Sequence, residues 1–462
     1  MNTIQALKKI IESENGNNLS EFTVLGMPVW RLVRFSFRVQ ALNKASGFKN
    51  KSENKSGGVF EIVKGYFLSL FQIIRYVFFV KKNKDLAIFT FPRLSFIDGH
   101  FFDKFTDPII ENTHLENYVI FQRTVYGKDK KCRVNNNKII YTDFINISAI
   151  VCSYLFFPFI TMSFFKKIKL LSQKCSIIYD IEFSKVHSDI VKSIGKYIFQ
   201  SLFYELIYNR FGLNTIIVVS REVFLTESFI AKKNGLKVLE LQHGITVNET
   251  PLYSGIYDKR VDPDFFLTFG DYWINDFFCI PKNKMVNIGW ALKSYFKNSN
   301  VVAQKGKKKV VLISSPAITN TIVSLAYELS KIVNDVIYIR LHPQEALNIE
   351  HKNIVENNSN IVICDNKEDS FISLLHFEKV IGDNSSVLYE ALSLNKPVGK
   401  LNFGKIKSRD EEKDRSLGFY LLDSFDEVLN FITSDIEVSM NKKANFVYTD
   451  FCKDKFLEII EK

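Results

Sequence analysis

Short runs of apolar residues, each bounded by turn-forming residues, recur along the chain from Leu86 onwards. Their length and their β-branched and aromatic content predict buried strands. In the first half these predicted strands are Leu86–Phe91, Tyr118–Arg123, Lys138–Phe144, Thr215–Ser220, Lys237–Gly244, Asp264–Gly270 and Lys284–Gly289. In the second half they are Val310–Ser315, Val336–Pro343, Ile361–Asp365, Lys379–Asp383 and Pro397–Asn402.

Segments with helical periodicity separate many of these runs. The longest is predicted from Val186 to Arg210, and another follows Ser220 and ends at Gly235, a residue suited to a helix C-terminal cap. Residues 1–45 are also predicted to be helical. Strand, helix and strand at this spacing are typical of a parallel sheet. The pattern therefore predicts an α/β fold with two halves, each built on a parallel sheet.

A polar and basic segment, residues 296–309, lies between the two series of strands and is predicted to be a linker. It divides the chain into a first domain, residues 1–295, and a second domain, residues 310–440. Residues 441–462 are predicted to contain a C-terminal helix that packs back on the first domain.

Two aromatic stretches stand out from this alternating pattern. Phe144–Phe165 carries no charge and reaches the length of a membrane span, but it contains Pro158 and several polar residues. We interpret it as a helix that is buried or lies at an interface. Phe60–Lys84 is aromatic and basic, which predicts a helix lying on a membrane surface or packed on the domain core.

Composition narrows the class of partner. The 462 residues carry a formal net charge of +11, which favours anionic partners such as nucleotide phosphates, acidic glycans or anionic lipids. The lysines are dispersed and no basic recognition helix is evident, so a nucleic-acid partner is not expected. The six cysteines form no metal-binding pattern, which indicates scattered reduced thiols in a cytoplasmic protein.

Polar residues follow three of the predicted strands. Because ligands bind at the carboxyl ends of parallel strands, these residues are candidates for a site between the two sheets. The three sets are Gln242, His243 and Gly244; Arg340, His342 and Pro343; and Asn384, Ser385 and Ser386.

The second-half sets suit phosphate binding. Ser385 and Ser386 stand where a strand turns into a helix, whose first N–H groups attract phosphate, although a serine or Asn384 there can simply cap the helix. Glu390, one turn further on, either binds a ribose hydroxyl or points to solvent. His342 can donate to a departing phosphate, and Arg340 points to the same face of its strand.

His243 is the candidate catalytic residue of the first-half set. It can act as a base or orient an acceptor, and a buried structural histidine is the competing interpretation. Gly244 permits close approach of the backbone to a ligand.

The order of these motifs resembles a known group. ELQHG, PDFFLTFG, NIGW, RLHP and GDNSSVLYEAL are similar to segments of bacterial capsule, lipopolysaccharide and O-antigen glycosyltransferases. RLHP and the serine pair resemble the HP and SS motifs of bacterial sialyltransferases and Kdo transferases. The resemblance implies a GT-B fold, with two Rossmann-like domains facing a cleft, and an inverting enzyme without a metal. It also implies that His342, Ser385 and Ser386 bind the donor phosphate, and that the first domain binds the acceptor.

The resemblance also implies a catalytic base in the first domain. The related enzymes carry an acid-acid-Gly motif, and the nearest segment here has one acid, Asp98, before Gly99. Asp98, Asp103 and Asp107 are all candidates. Asp262 and Asp264 superficially resemble a metal-binding pair, but they enter a strand after Pro263, so we interpret them as a turn and expect no metal.

The leading hypothesis is an inverting glycosyltransferase that moves a sugar from a nucleotide-activated donor, with a CMP-sugar favoured, to a surface polysaccharide or lipid-linked glycan. No other cofactor is expected. A nucleotide-diphosphate-sugar transferase and a CDP-glycerol or CDP-ribitol phosphotransferase are the alternatives. A non-catalytic glycan-binding or scaffold protein on the same fold is the alternative of another class. The basic charge and the Phe60–Lys84 segment predict peripheral attachment to the inner face of the cytoplasmic membrane.

Overall fold

A computed structural model describes most of the chain. It covers residues 3–46, 58–79, 84–92, 94–97, 100–123, 138–245, 249–297, 308–316, 318–342, 345–365, 368–404, 406, 410–436 and 444–461.

An N-terminal arm precedes the first sheet. It consists of α1 (Thr3–Gly16), the short hairpin β1 (Thr23–Val24) and β2 (Met27–Pro28), α2 (Val29–Ser46) and α3 (Val59–Phe79).

The first sheet and its helices follow this arm. The elements are β3 (Leu86–Phe89), β4 (Ser95–Ile97), β5 (His100–Phe102), α4 (Asp107–Thr113), β6 (Tyr118–Gln122), β7 (Ile139–Tyr141), α5 (Asp143–Leu155), α6 (Phe157–Ser163), α7 (Phe165–Tyr179), α8 (Phe183–Phe211), β8 (Thr215–Val219), α9 (Leu225–Lys233), β9 (Lys237–Leu241), β10 (Phe265–Thr268), β11 (Met285–Asn287) and α10 (Ala291–Lys297).

Seven of these strands form one parallel sheet in the order β11-β10-β9-β8-β3-β6-β7. The chain order reverses direction between β3 and β8, which pair in parallel with Phe89 beside Val218. Such a reversal leaves a crevice at the carboxyl ends of the two strands, where ligands bind in open α/β sheets.

The second half contains a smaller sheet. Its elements are β12 (Lys308–Ile313), α11 (Thr319–Ser330), β13 (Ile337–Arg340), α12 (Ile349–Glu356), β14 (Ile361–Ile363), α13 (Ser370–Leu375), β15 (Phe377–Gly382), α14 (Ser386–Ser393), β16 (Val398–Leu401), α15 (Glu411–Leu417), β17 (Tyr420–Leu422), α16 (Phe425–Thr433), α17 (Ala444–Val447) and α18 (Lys453–Glu461).

Its six strands are parallel in the order β14-β13-β12-β15-β16-β17, which is the strand order of dinucleotide-binding Rossmann folds. The reversal point lies between β12 and β15. The predicted fold class, two Rossmann-like domains with parallel sheets, is confirmed. The strand β17 and the antiparallel pair β4–β5 were not predicted.

The C-terminal segment returns to the first sheet. Trp290 N–H donates to the Thr449 carbonyl at 2.9 Å, and Cys452 N–H donates to the Ile288 carbonyl at 2.8 Å. Two glycines make room for this segment. A Cβ on Gly289, which has a φ of 78°, would lie 2.1 Å from the Asp450 oxygen, and one on Gly270 would lie 2.4 Å from the Val447 oxygen.

Aromatic side chains join the two halves into one core. Trp273 of the first half packs on Tyr389 of α14, with ring centroids 5.6 Å apart. Trp290 packs on Phe371 of α13 at 4.8 Å and on Tyr448 of the C-terminal segment at 4.6 Å. All five rings are buried, so separating the halves would expose a large apolar area.

A buried network of charges anchors α2 to the first sheet. Arg31, Arg34 and Arg38 lie at helical spacing on one face of α2, and none is more than 1% exposed. Arg31 pairs with Asp262 at 2.7 Å, and Arg34 pairs with Glu222, which lies in the segment after β8. The full network balances four cations with four carboxylates: Arg31, Arg34, Arg38 and Arg221 with Glu14, Glu222, Glu240 and Asp262.

The helix α3 has the reverse of a normal surface helix pattern. Its buried residues include Gly65 and Ser69, whereas Phe60, Phe71 and Phe78 are 68–79% exposed. By length and composition α3 could cross a bilayer. The uncharged stretch Phe144–Phe165 is not one straight helix, because α5 and α6 meet at a bend of 67° beside Pro158.

Replacing Gly289 by Ala tests the close packing of the C-terminal segment on the first sheet. We expect Gly289→Ala to lower the free energy of unfolding by about 2 kcal/mol or more, because positive φ strain adds to a backbone clash. Gly212→Ala is the matched control, since Gly212 also has a positive φ, of 66°, but no atom near its added Cβ. Urea unfolding of both variants checks this. Equal losses of stability would contradict the close seating of the segment.

Candidate functional site

The carboxyl edge of the second sheet brings two of the three predicted sets together. Arg340 pairs with Ile313 of β12 at the edge of the sheet. On the other side of β12, Leu312 pairs with Ile381, which places Gly382 beside Ile313 as well. Arg340 and Gly382 therefore flank one strand, about 10 Å apart at the spacing of two strands.

The serine pair opens the helix α14. Ser385 is the N-cap residue, and its hydroxyl accepts a hydrogen bond from Val387 N–H at 3.3 Å. Ser386 is the first helical residue, and Asn384 precedes the cap; all three are partly buried. The capping alternative therefore holds for Ser385. Capping leaves the helix N-terminus and its partial positive charge directed at the reversal point of the sheet.

Arg340 is a buried cation with spare hydrogen-bonding capacity. Its side chain is only 8% exposed, and Nη2 donates to the Glu368 carbonyl at 2.6 Å. Nη1 has no hydrogen-bond partner among the residues that the structure describes. A buried donor without a partner costs free energy, so this nitrogen is suited to an anionic ligand.

His342 is held by its backbone. Its N–H donates to Glu345 Oε2 at 2.8 Å, and the Glu345 N–H donates back to the His342 carbonyl at 2.8 Å. The other oxygen of Glu345 accepts from Ser314 Oγ at 2.5 Å and from Thr319 Oγ1. Glu345 thus ties the end of β13 to the end of β12 and leaves the His342 ring outside this bond.

Glu390 connects the two halves. Its side chain is 5% exposed, and it contacts Lys104 Nζ of the first half at 3.7 Å and Ser370 Oγ at 3.3 Å. The alternative in which Glu390 points to solvent is wrong. Beside this pair, Ser95 Oγ of the first half donates to Asp369 Oδ2 at 2.6 Å. We call Ser95, Lys104, Arg340, Asp369, Ser370 and Glu390 the cleft cluster.

The charges of Lys104 and Glu390 in the cleft cluster depend on each other. Burial raises the pKa of Glu390, and Lys104 opposes this shift. Burial also disfavours the charged form of Lys104, but the carboxylates of Glu390 and Asp369 outweigh it and raise the Lys104 pKa. The cation on Lys104 is therefore maintained by the second half of the chain.

His243 lies at the first-half side of the same cleft. Its Nδ1 is 2.8 Å from Tyr253 Oη, and its ring is 5.0 Å from the Phe91 ring and 6.3 Å from the Phe105 ring. Phe105 follows Lys104, whose Nζ lies 5.5 Å from that ring. The segment after β5 therefore contacts both His243 and Glu390.

Gln242 supports the site from behind. Its side chain is fully buried, its Nε2 donates to the Gly244 carbonyl at 2.8 Å, and its Oε1 accepts from Phe269 N–H at 3.1 Å. These bonds tie the segment that carries His243 to the end of β10.

The candidate carboxylates of the first half have different surroundings. Asp103 is fully buried and accepts from Thr106 Oγ1 at 2.8 Å and Phe105 N–H at 3.1 Å, and Asp107 accepts from Asp103 N–H at 2.8 Å. Both shape the loop that carries Lys104. Asp98, like Pro343 of the second half, lies outside the described residues.

Asp262 and Asp264 have protein partners. Asp262 pairs with Arg31 and Arg221, which hold its pKa below the usual range despite its burial. Asp264 accepts from Lys232 Nζ at 2.6 Å and Val238 N–H at 2.9 Å. Within the described ranges, no group of three or more His, Cys, Asp or Glu side chains is placed to hold a metal ion.

Sequence reasoning missed Ser95, Lys104, Glu345, Asp369 and Ser370. None of the five is the residue that directly follows a predicted strand. Glu345 had the one available signal, a carboxylate three residues after His342 in a turn. The others meet only because the two halves are packed together.

Comparison with known proteins gives weak likenesses. No protein-family model matches the sequence, and no curated protein matches it. Among solved structures, UDP-GlcNAc 2-epimerase from Methanocaldococcus jannaschii is 14% identical over 82% of this chain and 99% of its own, with a TM-score of 0.48. The Neisseria meningitidis enzyme bound to UDP-GlcNAc is 14% identical over 82% and 98%, also with a TM-score of 0.48. The wall teichoic acid polymerase TagF is 13% identical over 87% and 95%, with a TM-score of 0.46.

Replacing Lys104 tests the link across the cleft. We expect Lys104→Met to lower the free energy of unfolding by about 1–3 kcal/mol at pH 7, because it leaves the Glu390 carboxyl buried without a cation. The loss should be larger at pH 8 than at pH 5. When folding raises the pKa of a carboxyl, the free energy of unfolding falls as the pH rises, and without Lys104 this effect of Glu390 should be stronger.

Urea unfolding at both pH values checks this expectation. The double variant Lys104→Met/Glu390→Gln should recover part of the loss, since both partners are then uncharged. Lys331→Met is the control, because Lys331 forms an exposed pair within one helical turn and should change stability little. A loss that is equal in single and double variants would contradict the pairing.

Proposed function

We propose that the chain is an inverting, metal-independent glycosyltransferase that uses a nucleotide-activated sugar, with a CMP-sugar as the favoured donor. The observation that carries this proposal is the buried Arg340, whose Nη1 lacks a partner among the described residues and stands at the same sheet edge as the N-terminus of α14. A guanidinium and a helix N-terminus together suit a nucleotide phosphate.

The donor phosphate would lie at the reversal point of the second sheet. There the N–H groups at the start of α14 and the hydroxyls of Ser385 and Ser386 would hold it, with Arg340 on the other side of β12. His342 would donate a hydrogen bond to the phosphate as it departs, which stabilises the negative charge that develops on it. The partly buried Asn384 would complete this set.

The acceptor would approach from the first sheet. In an inverting transfer, an acceptor hydroxyl attacks the anomeric carbon from the side opposite the nucleotide, and a base removes the hydroxyl proton. His243 is the favoured base, because its ring lies at the first-half side of the cleft beside Phe91 and Phe105. Gly244 beside it leaves space for the ligand, since no atom lies within 4 Å of an added Cβ.

A panel of nucleotides tests the donor site. We expect CMP or CMP-N-acetylneuraminic acid to raise the melting temperature, with a stabilisation of about 2–3 kcal/mol at a hundredfold excess over the Kd. CDP-glycerol, UDP, UDP-GlcNAc and GDP in the same panel distinguish the alternative donors. Arg340→Gln and Ser385→Ala should reduce the shift, because each removes a phosphate contact.

Ser424→Ala is the matched control for Ser385→Ala. Ser424 also caps a helix, with Glu427 N–H donating to its hydroxyl at 3.2 Å, but it belongs to α16. Both variants lose about 1 kcal/mol of capping stability, so only the nucleotide-dependent shift separates them. The absence of a shift with every nucleotide would favour the scaffold alternative and reject the proposed donor site.

We also propose that the chain binds the surface of an anionic membrane. The supporting surface, which we call the apolar face, is contributed by α3 and by the bent pair α5–α6. The two parts adjoin, since Tyr66 Oη of α3 lies 3.1 Å from Ser148 Oγ of α5. Its strongly exposed side chains are Phe60, Phe67, Phe71, Phe78, Tyr154, Leu155, Phe156, Phe159 and Met162.

Cations border this apolar face. Lys192 Nζ lies 4.7 Å from the Tyr154 ring. Lys64 and Arg75 are exposed on α3 itself. Exposed aromatic rings beside lysines and arginines match the headgroup region of an anionic bilayer.

Flotation with vesicles tests the apolar face. We expect the chain to float with vesicles of phosphatidylglycerol and phosphatidylcholine, and Phe71→Ser/Phe78→Ser to reduce the bound fraction about tenfold or more, because two aromatic rings that would enter the bilayer are lost. The control Ile332→Ser/Ile349→Ser removes two exposed apolar side chains from the second half, which are 57% and 79% exposed. Equal flotation of both double variants would refute the proposal.

A further inference from the structure

A cavity lies at the carboxyl edge of the first sheet. It has a volume of about 200 Å³ and opens at the ends of β3, β6, β7 and β8, with α8 along one side. Thr90 and Pro92 line it, and Phe91 between them packs on His243. The cavity is therefore next to the proposed base but separate from the phosphate-binding residues of the second sheet.

The lining is polar and mostly uncharged. Hydroxyl and amide groups from several different elements face the space, and they offer both hydrogen-bond donors and acceptors. Aromatic rings of Tyr197, Tyr204 and Phe224 complete the wall. Such a mixture suits the hydroxyls and the apolar ring faces of a saccharide. The hydroxyl and amide residues are Thr90, Thr142, Asn146, Ser193, Gln200 and Thr226.

One buried carboxyl in this wall has no cation paired to it in the described structure. Glu227 is 5% exposed, whereas its neighbour Glu222 is paired with the α2 arginines. Burial raises the pKa of Glu227 to about 7, although a side-chain hydrogen bond with Tyr204 and the positive charge of Arg123 oppose the shift. A carboxyl poised near neutral pH in a cavity wall is suited to hydrogen-bonding with a hydroxyl group.

Other titratable and charged groups lie near Glu227, and they come from several elements. From α8, Tyr208 Oη donates to the Glu227 carbonyl at 3.3 Å, and Lys196 lines the same cavity. Arg123 approaches from the end of β6, and Glu222 lies in the segment before α9.

The rim of the cavity is cationic and leads to the apolar face. Arg123 and Lys196 are exposed where they line the opening. One turn before Lys196 on α8, Lys192 lies over Tyr154 of the apolar face. Asn146 of the cavity wall and the exposed Ile150 belong to the same helix, α5. An anionic group at the rim would thus lie between a polar cavity and a membrane-binding surface.

We propose that this cavity binds the saccharide end of an anionic, membrane-linked acceptor, with Glu227 accepting a hydrogen bond from an acceptor hydroxyl and Arg123 and Lys196 binding the anionic group. The inference rests on the proposed glycosyltransferase function and adds the acceptor site to it. Glu227 acts as a binding and positioning residue, while His243 remains the base. The ionised form of Glu227 is the stronger acceptor, so the affinity for a neutral saccharide increases as the pH rises through about 7.

Two soluble saccharides test the assignment. Saturation-transfer NMR titrations would use lactose, which is neutral, and 3′-sialyllactose, which adds one carboxylate. We expect Arg123→Gln to weaken binding of 3′-sialyllactose about tenfold and to leave lactose binding unchanged, because one charge-assisted contact is lost. Lys331→Gln removes an exposed lysine on the second half and should change neither titration.

The pH dependence tests Glu227 itself. Lactose should bind the wild-type chain at least about threefold more tightly at pH 8 than at pH 6, because ionised Glu227 is the better acceptor. Glu227→Gln, which keeps the side-chain shape, should bind lactose equally at both pH values. Arg123 is exposed, so Arg123→Gln provides a folded variant even if Glu227→Gln is unstable.

The outcomes separate this inference from the proposed function. No saturation transfer from either saccharide, or unchanged titrations in Arg123→Gln and Glu227→Gln, would overturn the acceptor site. The nucleotide thermal shift, measured on the same samples, reports on the donor site independently. A chain that gives the expected saccharide titrations but no shift with any nucleotide would overturn the donor proposal and leave the cavity assignment standing.

Discussion

The orientation of the two sheets depends on a close approach of backbone to backbone. Residues 444–452 pass so near Gly270 and Gly289 that a Cβ at either glycine would overlap carbonyl atoms of the segment. This seat places Tyr448 against Trp290, which in turn packs on Phe371 of the second half. The chain therefore crosses from the first half to the second and returns, and the returning segment packs against the contact between the two halves.

The cleft cluster depends on that arrangement. Lys104 lies in the first half of the chain and Glu390 in the second, yet their side chains are 3.7 Å apart. The loop that presents Lys104 is shaped by the buried carboxyl of Asp103. In the first half, the charge network of α2 plays a comparable part, because it fixes the segment after β8 through Glu222 and the segment before β10 through Asp262. Buried ion pairs of this kind position elements more than they stabilise them.

The proposed donor site, acceptor cavity and membrane face form a continuous arrangement. The donor residues occupy the edge of the second sheet, and the cavity with Glu227 occupies the edge of the first. On the outer side of that cavity, α5 presents Asn146 to the cavity and Ile150 to the apolar face. The proposed membrane binding would explain why Phe71 and Phe78 of α3 are exposed, since a helix on the surface of a soluble protein would bury such side chains.

The apolar runs alone determined the two parallel sheets. Runs such as Ile216–Val219 and Val310–Ile313 are too continuous for a half-exposed strand, and the helices between them require parallel connections. The sequence also located polar residues at strand ends, because that position follows directly from where each run stops. It could not locate Lys104, Asp369 or Glu227 as site residues, since each lies in or beside a helix with no distinguishing pattern. Their proximity, their burial and the resulting change in proton affinity arise only when distant segments pack together, and only the tertiary structure decided them.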